Sequence, residues 1–287
     1  MSHSGQQPAP LLVDDVDAGL VWSACVIDVD TAERLLDVSS DRVLKTASVG
    51  KLFLLVDIAR QAESGTLRLD ELVDRRTEES VADSGIWHTL DADTMTIDDA
   101  CRLIGAVSDN LATNVLIGRI GLEAVADTAQ GLGYTRSALL DRIRLKRLPE
   151  HPPTLSRGAA GELADLFVRL GQGTVISEAV SARVLDWIGL NADLSMVAAA
   201  FGLDPLAHVE PDCGITLRNK TGTISTARID VGIVGNSHRR LAYAVLANWG
   251  DDAPAGTRDD VLAAMEAIGK WLRLILARGT TQASAGR

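Results

Sequence analysis

Two β-leaning clusters at opposite ends of this 287-residue chain constrain its fold more than any other feature. Leu20 to Asp28 and Glu33 to Val38 are apolar runs joined by the turn Asp28-Val29-Asp30-Thr31, which predicts a β-hairpin. Ile215 to Thr223, Arg228 to Gly235 and Leu241 to Trp249 alternate with short turns between them, which predicts an antiparallel meander. Helical patterns fill the space between. A hairpin and a meander can share one five-stranded antiparallel sheet, with the helices carried as an insertion. The expectation is an α+β chain in four parts. Residues 1–10 form a disordered tail, 11–45 plus 206–280 a discontinuous sheet domain and 46–205 an all-α domain, with a site at the interface of the last two. Asp259 to Ala277 closes the chain as an amphipathic helix.

The first helix of the insertion carries the chemistry. Leu52, Phe53, Leu55, Val56, Ile58 and Ala59 make its surface apolar nearly all round, so it is expected to be buried. Ser48 falls in the first turn, and Lys51 lies three residues on, on the same face. Desolvation disfavours a lysine's ammonium form, and a serine beside a basic lysine is an activated nucleophile. The pair alone also arises by chance in many proteins. Gly50-Lys51 does not belong to a phosphate-binding loop, whose first glycine would fall on Lys45 and whose Ser/Thr would fall on Leu52.

Downstream, a polar connector spans Thr77 to Ser84, and Thr96-Ile97-Asp98-Asp99 reads as a capping box opening a helix to about Val107. Ser108-Asp109-Asn110 interrupts it, and helices follow over Leu111–Ile120 and Glu123–Gln130. Residues 134–156 form a long irregular segment with Pro149, Pro152 and Pro153, a length usual in functional loops. Ser156 and Ser177 are expected to cap helices to about Leu170 and Ile188.

Composition narrows the partners. A net charge of −11 argues against nucleic acid and anionic membrane. The histidines lack metal-ligand spacing, so no zinc site or other metal is expected. Cys25, Cys101 and Cys213 have no paired spacing and read as three buried thiols of a reducing compartment. No run reaches the about 18 apolar residues that span a membrane, and Met1 to Pro10 lacks a signal-peptide pattern. As written the chain reads as cytoplasmic, or as periplasmic or secreted if a leader was trimmed, and as a monomer without a cofactor.

Three motifs occur in order: Ser48-Val49-Gly50-Lys51, Ser108-Asp109-Asn110, and Lys220-Thr221-Gly222 on the first strand of the meander. Together they are the signature of class A β-lactamases and penicillin-binding proteins. The chain therefore resembles the class A branch of that serine hydrolase family, from about Gly19 to the last helix. Asp83-Ser84-Gly85-Ile86-Trp87-His88, Met95 to Asp99 and Val107 to Asn114 extend the likeness. It implies a sheet flanked by terminal helices with an inserted helical domain, and an acyl-enzyme on Ser48. Lys51 would be the base and Ser108 the proton relay. Asn110 would orient Lys51 and substrate, and Lys220 would bind the substrate carboxylate with Thr221 beside it. The N–H groups of Ser48 and Thr223 would form the oxyanion hole. Gly222 would let an extended substrate lie along the strand, and Arg228 either reaches the same carboxylate or is a solvated charge.

One departure matters. The family's Glu-x-x-Leu-Asn loop motif, which activates the deacylating water, is absent; Ile143-Arg144-Leu145-Lys146-Arg147 fills the expected stretch. Glu150 is the one glutamate of the loop and Asp141 its one aspartate, so Glu150 is either the general base or a surface charge. The disulfide of some relatives is also missing, because Cys101 would face Leu55. Three readings follow: a β-lactamase with slow deacylation, an esterase or peptidase-like hydrolase of the same fold, and a penicillin-binding sensor without turnover. In each the partner is a small β-lactam or a peptide- or ester-like molecule.

Overall fold

The structure is a computed structural model, and it describes residues 8–78, 81 and 83–284. The tail expected over residues 1–10 and the connector over 77–84 lie partly outside that range. In chain order the elements are β1 (Val21–Asp28), β2 (Arg34–Val38), β3 (Val43–Lys45), α1 (Lys51–Glu63), β4 (Leu72–Asp74) and β5 (Thr94–Thr96). Then come α2 (Ile97–Val107), α3 (Asn110–Ile120), α4 (Leu122–Gly131), β6 (Ala138–Leu139), β7 (Ser156–Ala159), α5 (Ala160–Gly171) and α6 (Glu178–Ile188). The chain ends with β8 (Thr216–Ile224), β9 (Ala227–Gly235), β10 (Arg240–Asn248) and α7 (Thr257–Ser284).

The two terminal β clusters do join. The five-stranded sheet has the order β2-β1-β10-β9-β8, antiparallel throughout, with Val21 opposite Asn248 and Thr216 opposite Gly235. Strand alternation sends successive side chains to opposite faces. On one face Trp22, Val26, Leu217, Tyr243 and Val245 pack with Met265, Ile268 and Leu272 of α7. On the other, Cys25, Ile229, Val231 and Ala244 join the large core of the helical region, including Phe53, Leu54, Ile104 and Phe167. Asp230 is buried between the sheet and the residue 197–201 turn, accepting from Asn219 Nδ2 (2.9 Å), Tyr243 Oη (3.1 Å) and Ala198 N (3.1 Å). Burial pushes its carboxyl up to about 6.

Local signals placed several helix ends. Thr96 caps α2 by accepting from Asp99 N at 3.0 Å, and Ser177 caps α6 by accepting from Val180 N at 3.1 Å. Ser156 does not cap a helix. It opens β7, which lies between β3 and β6 in a small three-stranded sheet, and α5 starts at Ala160. Its hydroxyl is spent elsewhere, on the Ser48 segment. The 134–156 segment accordingly contains a short strand, and β4 and β5 pair although neither carries a clear strand pattern. Cys25 and Cys101 are buried thiols, but Cys213 is exposed, on a tight turn before β8. Among the described residues no helix is long and apolar enough to cross a membrane.

The approach of α2 to α6 fixes one wall of the cleft discussed below. Gly105 is what permits it, because a Cβ there would lie 2.0 Å from the Trp187 carbonyl oxygen. Gly105→Ala is expected to destabilise the chain by about 1–3 kcal/mol through overpacking. Urea unfolding checks it: the midpoint should fall with the slope unchanged.

Candidate active site

Ser48 lies in a 3-10 turn, Ala47–Gly50, and α1 begins only at Lys51, so the serine precedes the helix rather than occupying its first turn. Ala47 has φ +47°, a strained left-handed conformation for a residue with a side chain. Ser156, fully buried, holds it there. Its Oγ donates to the Ala47 carbonyl at 2.6 Å and lies 2.7 Å from Thr46 Oγ1.

Lys51 is completely buried. Its Nζ lies 2.6 Å from the Ser108 carbonyl oxygen, 2.8 Å from Asn110 Oδ1 and 3.2 Å from Ser108 Oγ. Burial holds its ammonium well below the usual lysine range, and the positive charge of Lys220 lowers it further. Lys220 is also completely buried on β8, with Nζ 3.1 Å from Ser108 Oγ and 3.0 Å from the Thr221 carbonyl; burial brings it down to about 8. The Ser108 hydroxyl therefore stands between two desolvated lysines. Ser108 takes φ +55° at the C-cap of α2.

Asp109 sets that geometry. Buried, it caps α3 by accepting from Ala112 N at 2.9 Å, and its other oxygen accepts from Ile86 N (2.8 Å) and Trp87 N (2.9 Å). The loop 84–87 is thereby tied to the α2–α3 corner. In the sequence Asp109 stands as the middle of a motif, and its position just before a helical run is the signal for this capping role.

Two cavities meet at Ser48. One, about 390 Å³, is lined by Ser48, Ser84, Ser108, Asn191, Asp193, Thr221 and Thr223 among others. The second, about 300 Å³, lies on the other side and is lined by Ser48, Asn110, Thr223, Ile143, Arg144, Arg147, Lys45 and Asp83 among others. Ser48, Lys51, Ser108, Asn110, Lys220, Thr221 and Thr223 are thus brought together from the turn before α1, α1 itself, the α2–α3 corner and β8.

Three expectations change. Glu150 lines neither cavity and is exposed. Arg144 and Arg147 fold inward onto the buried Asp141, with Nε–Oδ2 2.8 Å and Nη1–Oδ2 2.6 Å, and the chain then turns outward, with His151 N donating to the Leu148 carbonyl at 3.0 Å. The residue at the cavity wall is Ile143, pinned by Asn114: Nδ2 donates to its carbonyl at 2.9 Å and Oδ1 accepts its N–H at 2.8 Å. Arg228 lines neither cavity; its Nη1 donates to the Ile224 and Ala227 carbonyls and its guanidinium lies 5.7 Å from the Trp249 ring centre. Gly222 is needed for the protein's own packing, since a Cβ there would lie 2.3 Å from the Thr46 carbonyl oxygen.

A family model described as the Beta-lactamase enzyme family matches residues 12–273. β-Lactamase CARB-4 of Pseudomonas aeruginosa is 26% identical over 141 residues, 49% of this chain and 46% of the relative, so the match spans about half the relative's length. The crystal structure of a β-lactamase from Sphaerobacter thermophilus superposes with a TM-score of 0.77 at 23% identity, covering 91% of this chain and 93% of that one. A leucine-to-glutamate variant of PBP-A, solved as an acyl-enzyme with penicillin G, superposes with a TM-score of 0.73 at 20% identity, covering 91% of each chain.

The contact at Gly222 is directly testable. Gly222→Ala should push β8 from the Thr46–Ser48 segment and destabilise the chain by about 1–3 kcal/mol through overpacking. Urea unfolding checks it; an unaltered midpoint would remove the role assigned to this contact.

Proposed function

Because the chain belongs to the β-lactamase enzyme family, we propose that it is a class A-type serine hydrolase that opens β-lactam amides through an acyl-enzyme on Ser48. The observation that carries this reading is the Ser108 hydroxyl lying 3.2 Å from Lys51 Nζ and 3.1 Å from Lys220 Nζ beside the Ser48 cleft.

Hydrogen-bond accounting gives the resting state. A neutral Lys51 has two N–H donors and one lone pair. It donates to the Ser108 carbonyl and Asn110 Oδ1, which leaves the lone pair for the Ser48 proton, while the Lys220 ammonium donates to Ser108 Oγ. Ser48 Oγ attacks the lactam carbonyl carbon and Lys51 takes its proton. The carbonyl oxygen, now negative, accepts from the N–H groups of Ser48 and Thr223. Collapse breaks the ring C–N bond, and a proton passes through Ser108 to the leaving nitrogen. Lys220, with Thr221 beside it, holds the substrate carboxylate.

The pH dependence follows. Acylation needs Lys51 neutral, carboxylate-bearing substrates need Lys220 charged as well, and Lys220 sits at about 8. Its charged fraction falls as pH rises through that value, so acylation of carboxylate-bearing substrates should decline above about pH 8 while that of neutral esters does not. Lys220→Ala should cost carboxylate substrates on the order of 2–4 kcal/mol in the transition state and neutral esters far less. Stopped-flow acylation with both classes checks the pair.

A deacylating water needs a base of its own. The loop presents Ile143, Arg144 and Arg147 to the cavity, and none accepts a proton near neutral pH. Asp83 is the one carboxylate among the described residues lining it, exposed on the loop before Ser84. Slow deacylation follows, and the same observation favours a second reading, a penicillin-binding sensor that keeps its adduct. Intact-protein mass spectrometry within minutes of mixing should find protein plus whole ligand mass. The adduct should be absent in Ser48→Ala and shorter-lived in Ile143→Glu. Rapid turnover without adduct, lost in Asp83→Asn, would make Asp83 the base and end the slow-deacylation reading.

A further inference from the structure

The two cavities at Ser48 differ in charge. The first has Asp193 on its wall, and the buried Lys220 donates to Ser108 beneath it. The second has Lys45, Arg144 and Arg147 on its wall, with Asp83 as the opposing charge. Asp141 lies under the two arginines and is nearly buried, with 5% of its side chain exposed. One carboxylate is thus divided between two guanidiniums, both of which stay about a quarter exposed, at 29% and 27%. Counting Lys45 and both arginines against Asp83 and Asp141 leaves the cavity wall net positive, in a chain whose own charge is −11; Glu150, whose charge also reaches Arg144, lies off the wall and exposed to solvent.

The arrangement is built rather than incidental. Arg147 also donates to the Pro152 carbonyl at 2.9 Å, and Asn114 pins Ile143 from the opposite side of the loop. The two guanidiniums are therefore held in place on the wall of a cavity that Ser48 also lines, and preorganised guanidiniums are suited to carboxylate recognition. We propose that this second cavity is a subsite for an anionic group on the acyl side of the substrate, so that the preferred substrates carry two carboxylates, one for each cavity. The inference rests on the reading of Ser48 as the acylated residue. A net-negative protein would otherwise repel a dianion, and the local reversal of sign is what makes one acceptable.

The test uses two matched ligands, 6-aminopenicillanic acid N-acylated with a pentanoyl chain or with a glutaryl chain. They differ by a terminal methyl against a carboxylate. The glutaryl compound should acylate Ser48 at least about ten-fold faster at low salt, with the ratio shrinking as salt rises to about 1 M. Lys45→Gln, which leaves the Asp141 cluster untouched, and Arg144→Gln should each lower the glutaryl rate more than the pentanoyl rate. Binding to Ser48→Ala, measured by calorimetry, gives the same preference without chemistry. If neither ligand acylates the protein yet Ser48→Ala still binds the glutaryl compound at least ten-fold tighter, the hydrolase reading fails and the anionic subsite stands. Equal binding of both ligands, or a preference that survives both charge removals and high salt, overturns the subsite.

Discussion

Two lysines with no solvent exposure meet at one serine hydroxyl, and much of the surrounding structure exists to make that arrangement tolerable. An ammonium removed from water is costly, and the cost falls only if its protons find acceptors or if it gives one up. Here the acceptors are the Ser108 carbonyl, Asn110 Oδ1 and the Thr221 carbonyl. Two come from the α2–α3 corner and one from β8. The α2–α3 corner must therefore meet α1 and β8 at one place, and Asp109 makes the corner rigid enough to do so.

The same requirement explains why the small residues fall where they do. β8 approaches the Thr46–Ser48 segment closely because Gly222 has no side chain, and α2 reaches α6 at Gly105. Ala192 N then donates to the Ala106 carbonyl at 2.9 Å, which closes the wall of the first cavity next to Ser108. Packing distances at three backbone contacts thus set the width of the cleft.

Much of this was legible in the sequence, for identifiable reasons. The strands of the five-stranded sheet announced themselves because their runs are apolar or β-branched and bounded by turns, and the three motifs are recognisable from local spacing. What could not be read depends on contacts distant in the chain. Ser156 looks like a helix cap because a serine before a helical run usually is one, yet its hydroxyl is satisfied by Ala47, 109 residues earlier. Glu150 looked available because spacing says nothing about which way a loop turns, and that direction is set by Asp141 drawing Arg144 and Arg147 inward. Arg228 sits on the strand next to β8, but the carbonyls of its own turn and Trp249 claim it. The membership of the family and the fold were visible early; the orientation of the loop was not.

The pairing of β1 with β10, Val21 against Asn248, has a consequence for synthesis. On a ribosome the helical insertion emerges long before the last three strands exist. Lys220 and the edge that presses on Thr46 come from those strands, so Ser108 lacks one of its two lysines, and the Ser48 segment its final backbone, until they are made. Contacts of such separation close late. The cleft around Ser48 is therefore assembled only together with the completed sheet.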